Sequence, residues 1–263
     1  MEATTARNPA RNLVIFDCDG VLVDSERLSA RALHEMGTEY GFDLSPAEAL
    51  AFIRGRKVAE WVAELGARRG RNLPEDFVRD FRGRSARLFT AELTPVPGVR
   101  GVVEGLTVPY CAASSAPRDK IRHTLGLTGL LPLFASRIYS AYEVGCWKPD
   151  PGLFLHAAAD LGVAPHRCAV VEDSLVGVRA AVAAGMPVFG YAPPESGTAD
   201  VLAAAGAVTF PAMSALPALL DSVTPRPPRP PRPRTGPARS VSPVSTPAAA
   251  RECAVRPLGP ARP

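Results

Sequence analysis

The sequence predicts an α/β protein: a Rossmann-like three-layer parallel sheet core with an inserted helical cap. Three observations carry this expectation. From residue 95 to 222, short apolar runs alternate with helical segments, the pattern of parallel strands joined by crossover helices on both faces. Several runs stop abruptly at acids, a serine pair or a lysine, the side chains that open α/β sheets place at strand ends around one crevice. Between the first and second runs lies a block with apolar residues at helical spacing, closed by LTPVPGV with Pro95, Pro97 and Gly98. The expected divisions are an α/β core over 10–22 and 95–222, a helical cap over 23–94, and a Pro/Arg-rich tail over 223–263.

The first strand is placed at 13–17, where LVIF is too apolar to be surface chain. One helix is expected over 25–41, then others at 46–52, 57–69 and 74–91, the last with Phe77, Phe81, Leu88 and Phe89 at helical intervals. The core resumes with helix 98–105, strand 108–113, helix 118–126 and a short strand at 137–140. Helix 151–161, strand 168–172, helix 174–184 and strand 187–190 follow, then a strand at 207–210 and a helix at 213–221. Gly185 falls where helix 174–184 should end in a left-handed cap.

The formal charge of +4 is unevenly spread. Residues 224–263 hold eight arginines and one acid, a surplus of seven that leaves the preceding 223 residues at −3. The globular part is therefore mildly acidic, and no nucleic-acid partner is expected. The tail, rich in proline and arginine, has no pattern that buries a face. The five cysteines (Cys18, Cys111, Cys146, Cys168 and Cys253) are odd in number, lack CxxC spacing and point to a cytoplasmic location. Cys18 lies between two acids whose field should raise its thiol pKa. No apolar run is long enough to cross a membrane, and MEATTARNPARN has no apolar signal-peptide core. His34, His123, His156 and His166 are scattered without ligand spacing.

The chemistry concentrates at four strand ends. VIFDCDG sets Asp17 and Asp19 one residue apart, where mutual repulsion calls for a cation or a shared proton. YCAASS ends in Ser114 and Ser115, WKPDP supplies Lys148, and VVEDS ends in Glu172 and Asp173. Hard oxygen donors suit Mg²⁺. A lysine and a hydroxyl suit a phosphate. Each also has an ordinary structural role: Ser114 or Ser115 could cap helix 118–126, Lys148 could be a turn residue, and Asp173-Ser174 should cap helix 174–184. Asp24 and Glu26 read as linker and acidic helix start. Together the strand-end groups point to phosphoryl transfer at a Mg²⁺ centre.

The four segments FDCDGVLVDSE, the stretch ending at Ser114, WKPDP and VVEDSLVGVRAAVAAGM resemble, in order and separation, the motifs of the haloacid dehalogenase-like hydrolase superfamily over residues 13–221. WKPDP, VEDSLVG and the cap segment FIRGRK are most similar to its bacterial sugar-phosphate phosphatases, including the 6-phosphogluconate type. The resemblance implies a phosphoric monoester hydrolase acting on a small-molecule phosphate ester, with Mg²⁺ as cofactor. It implies Asp17 as nucleophile and metal ligand, and Asp19 as acid and base that binds metal through its carbonyl. Ser114, Ser115 and Lys148 would hold the phosphoryl oxygens, and Asp173 would complete the metal shell with Glu172 beside it or acting through water. Arg54, Arg56 and Lys57 form a basic cluster in the cap, from which Arg54 and Lys57 are candidates to read the substrate.

Three rivals differ at named positions. A dehalogenase has no need of Asp19. The family's sugar phosphomutases, β-phosphoglucomutase among them, carry a histidine twelve residues after the nucleophile, where this chain has Ser29. They also carry an arginine three residues after a cap glycine, where Gly55 is followed by Val58. A non-enzymatic protein using the tail would not need every motif side chain, yet all are present. A truncation after Val223 is expected to keep the turnover and thermal midpoint of the full chain, measured side by side. Loss of either would show that the tail docks on the core.

Overall fold

The computed structural model describes residues 13–54, 56–134 and 136–222. The expected tail, Cys253 and Gly55 therefore lie outside the described residues. The core is a six-stranded sheet, all neighbours parallel, in the order β3-β2-β1-β4-β5-β6. Its strands are β1 Leu13–Phe16, β2 Tyr110–Ser114, β3 Ile138–Ser140, β4 Cys168–Glu172, β5 Val188–Tyr191 and β6 Val208–Phe210. The helices before β2 are α1 Ser25–Glu35, α2 Gly37–Tyr40, α3 Pro46–Ile53, α4 Val58–Arg68, α5 Phe77–Glu92 and α6 Val99–Gly105. After it come α7 Arg118–Leu127, α8 Leu131–Phe134, α9 Ala141–Val144, α10 Gly152–Asp160, α11 Leu175–Ala183, α12 Ala199–Ala204 and α13 Leu216–Ser222.

The three-layer reading follows from where alternate strand residues go. In β1, Val14 and Phe16 join one buried cluster, whereas Leu13 and Ile15 join another on the opposite face. Strand β4 divides likewise, Ala169 and Val171 to one side and Cys168 and Val170 to the other. Burial on both faces explains why these strands are continuous apolar runs. Cys18, Cys111 and Cys168 are buried, as their strand-like contexts predict. Small residues let α11 approach the sheet: Ala180 and Ala181 are wholly buried. Its end is the expected one: Gly185 has φ +70°, with Met186 N–H bonded to Ala181 C=O and Gly185 N–H to Val182 C=O.

The cap helices build a third core from Leu33, Met36, Phe52, Trp61, Leu65, Phe77 and Phe81. Trp61 meets Phe81 edge-on at 5.0 Å, and Tyr40 meets Phe77 at 4.9 Å. Helix α5 reaches both territories, since its Phe89 belongs to the sheet-side cluster. The two linkers pair with each other: Val96 N–H bonds to Leu22 C=O, and Asp24 N–H to Thr94 C=O. Helix α3 begins with a capping box between Ser45 and Glu48 and with Pro46 in its first turn. The helix expected over 25–41 is in fact two, broken at Met36. Gly37 there lies so close to the Phe42 carbonyl that a Cβ would sit 2.6 Å from it. Pattern alone also passed over α8, α9 and α12, segments of four to six residues.

Among the described residues no helix is long and apolar enough to cross a membrane. One buried position offers a direct check of the fold. A Cβ at Gly177 would lie 1.9 Å from the Glu172 carboxylate, which tucks beneath the start of α11. Gly177→Ala is expected to lower stability by about 1–3 kcal/mol in denaturant titration. An unchanged midpoint would mean that Glu172 is not held there.

Candidate active site

The sheet order reverses beside β1. The chain leaves β1 and reaches β2 on one side, then returns from β3 to β4 on the other. Ligand crevices of parallel sheets lie outside the carboxyl ends at such a reversal. Asp17 follows β1 and Asp173 follows β4, so this topology sets the two carboxylates side by side. Carboxylate oxygens of Asp17, Glu172 and Asp173 lie within 4.8 Å of one another. Gly20, at φ +81°, admits this approach: a Cβ there would fall 2.1 Å from an Asp173 oxygen.

Lys148 is buried and donates to Asp17 Oδ1 and Glu172 Oε1, both at 2.6 Å. Burial alone would lower its pKa, but the two carboxylates more than offset this and hold the ammonium above its ordinary value. Asp17 is pushed up to about 7, chiefly by burial; Lys148 opposes this, while Glu172 and Asp19 add to it. Burial also raises Asp173 well above the carboxylate range, with the charges of Glu26, Glu172 and Asp17 adding to it. A further cation would let Asp17 and Asp173 ionise together, and their oxygens are of the kind that Mg²⁺ takes. The site residues therefore fit that metal.

Glu172 serves differently. Its Oε2 accepts from Asp173 N–H, Ser174 N–H and Ser174 Oγ, while Oε1 takes Lys148. Both its oxygens are thus engaged by protein donors, and it stands with Asp17 and Asp173 in the carboxylate cluster. The cap of α11 is Ser174, whose Oγ accepts from Gly177 N–H, and Asp173 is left for the crevice. Ser114 Oγ accepts from Ala116 N–H within its own loop, and α7 has no side-chain cap. The cap role expected of either serine is thus not taken. Ser114 is buried, Ser115 half-buried, and both line the crevice.

Asp19 is held by a partner that the sequence did not single out. Lys120 Nζ lies 2.9 and 3.0 Å from its two oxygens, and Ser25 Oγ donates to Oδ1. Burial would raise Asp19, but the Lys120 charge and these hydrogen bonds outweigh it, leaving the pKa below the ordinary value. The clue was the spacing from Pro117: Lys120 is in the first turn of a helix whose start faces the crevice. Cys18 is raised as expected, with burial the larger cause and the neighbouring acids second.

Cap and core enclose a cavity of about 780 Å³ over these groups. Lys57 lines it, with its ammonium 4.9 Å from the centre of the Trp147 ring. Arg54 does not line it: its guanidinium pairs with Glu26 at 3.1 Å and reaches Ser196 C=O. Glu26, expected to be only an acidic helix start, is itself in the cavity wall. Arg56 lines the cavity but is paired with Glu64 at 2.7 Å. Ser29 and Val58, the positions that separate hydrolase from mutase, both line it.

The fold and this strand-end site define a haloacid dehalogenase-like hydrolase, and the chain belongs to that family, whose model matches residues 12–185. It is 36% identical over 177 residues to the 6-phosphogluconate phosphatase of Escherichia coli, covering 67% of this chain and 80% of that one. It is 33% identical to E. coli hexitol phosphatase B, covering 69% and 84%. Among solved structures, a conserved haloacid dehalogenase-like protein of unknown function from Agrobacterium tumefaciens superposes with a TM-score of 0.73 at 35% identity, covering 80% and 97%. The expected enzyme class, a phosphoric monoester hydrolase, is that of its named relatives.

Lys120→Met is expected to raise the pKa of Asp19, because it removes the opposite charge that keeps the carboxylate ionised. Carboxylate NMR titration of the variant, read beside the pH dependence of kcat/KM, should show Asp19 moving to higher pH. A titration identical to wild type would show that Lys120 does not govern it.

Proposed function

We propose that the protein is a Mg²⁺-dependent phosphatase that hydrolyses a small sugar phosphate or phosphorylated sugar acid through a phosphoryl group carried on Asp17. The observation that carries this reading is the contrast between two acids one residue apart. Asp17 faces Lys148 at the reversal of the sheet, and Asp19 is held apart from it by Lys120 and Ser25. Two carboxylates in different environments suit different tasks.

Asp19, ionised beside Lys120 in the resting site, first takes up a proton from solvent; an Asp17 oxygen then attacks phosphorus, and the ester P–O bond breaks as Asp19 gives that proton to the leaving oxygen. Water then attacks phosphorus and loses its proton to Asp19, and the bond to Asp17 breaks to release inorganic phosphate. One side chain serves both halves because the second needs the opposite proton movement. Lys148 and the hydroxyls of Ser114 and Ser115 bind phosphoryl oxygens. Asp17, Asp173 and the Asp19 backbone carbonyl would hold Mg²⁺, which supplies positive charge against the phosphoryl oxygens. The substrate class is supported by relatives named for 6-phosphogluconate and hexitol phosphates.

Asp17→Asn is expected to cut phosphate release by at least about a thousandfold, and a chelator should abolish wild-type activity until Mg²⁺ is restored. Hydrolysis that persists in chelator would contradict the metal requirement. Rapid isomerisation of a hexose phosphate with little phosphate release would identify a phosphomutase instead.

A further inference from the structure

We propose that Arg82 and Ser85, on the cavity face of α5, bind a carboxylate and a hydroxyl at the non-reacting end of the substrate. They would thereby select a phosphorylated sugar acid over the matching sugar-alcohol phosphate. The proposal rests on the phosphatase reading above and adds the residues that would set its specificity.

Ser85 is the first reason. It lines the cavity and is 5% exposed, yet its hydroxyl has no hydrogen-bond partner among the described residues. A buried hydroxyl without a partner costs free energy, and a serine inside a helix ordinarily bonds back to the preceding turn. A ligand hydroxyl entering the cavity would satisfy it. Arg82 is the second. It lies one turn earlier, where positions three apart share a helix face, and it lines the same cavity. It is exposed and forms no ion pair with a described residue, in contrast to Arg54 with Glu26 and Arg56 with Glu64.

Charge is distributed along the cavity in the same sense. Its acids, Asp17, Asp19, Glu26 and Asp173, belong to the sheet ends and the start of α1. From α3 to α5 the lining contributes cations and no carboxylate. An anion at the far end therefore meets cations and no lining carboxylate, with Arg82 the cation among them that no described acid pairs, and a planar guanidinium matches a carboxylate's two oxygens. The reach is also suitable. Phe89 of α5 lies beneath Lys120, the partner of Asp19. Arg82 is seven residues back along the helix, about 10 Å at its rise per residue. A six-carbon chain spans that separation from a reacting phosphate better than a three-carbon one.

The test uses the full chain with Mg²⁺ and three esters: 6-phosphogluconate, sorbitol 6-phosphate, which replaces the carboxylate with a hydroxymethyl group, and p-nitrophenyl phosphate. Wild type should favour the acid over the alditol in kcat/KM by about tenfold or more. Arg82→Ala should erase most of that preference, chiefly through KM, and Arg82→Lys should restore part of it. Ser85→Ala should weaken both sugar esters relative to the aryl ester, with a thermal midpoint no lower than wild type. Equal wild-type use of the two sugar esters, or a preference that survives Arg82→Ala, would overturn the proposal. Inactivity on all three esters would overturn the phosphatase reading and this proposal with it.

Discussion

The ion pairs of Lys148 with Asp17 and Glu172 hold the site together. Three charges meet at the carboxyl end of a sheet whose strands are covered on both faces. Removing one member of a buried charge pair typically costs about 3–5 kcal/mol, because the others are left without compensation. Glu172 fixes the arrangement from below. It takes Lys148 on one oxygen and the start of α11 on the other, and Gly177 leaves room for its carboxylate. Gly20 does the same for Asp173 from the opposite loop. The two glycines are therefore as much a part of the site as its charges.

Above this charged floor the cap adds a different chemistry. Its own aromatic core makes the helical insert a stable wall, and α5 joins that core to the sheet. The paired linkers at Leu22–Val96 and Asp24–Thr94 tie both ends of the insert to one place beside the acids. Ser25, next to that junction, touches Asp19. The position of the cap and the orientation of Asp19 are thus mechanically connected.

Much of this was legible in the sequence because strand ends carry it. LVIF, YCAAS and CAVVE announce buried strands by composition, and the polar residue after each falls in the crevice by topology. What escaped has a physical reason in each case. Lys120 reaches Asp19 from the first turn of a helix, so no strand-end pattern marks it. Arg54 looked available because sequence cannot show that Glu26, 28 residues earlier, stands opposite it. The partners that set Glu172 apart from Asp173 were hidden as well, because adjacent acids look alike until their hydrogen bonds are seen. The single helix expected over 25–41 overlooked the approach of Gly37 to the Phe42 carbonyl, a contact that periodicity does not encode.

The central claim is that phosphorus changes partners twice, first to Asp17 and then to water. The stereochemical course of hydrolysis tests this most directly, using a phosphorothioate ester made chiral at phosphorus with oxygen isotopes and hydrolysed in labelled water. Two successive in-line displacements predict retention of configuration. Inversion would mean that water attacks the substrate in one step, and Asp17 would then not carry the phosphoryl group.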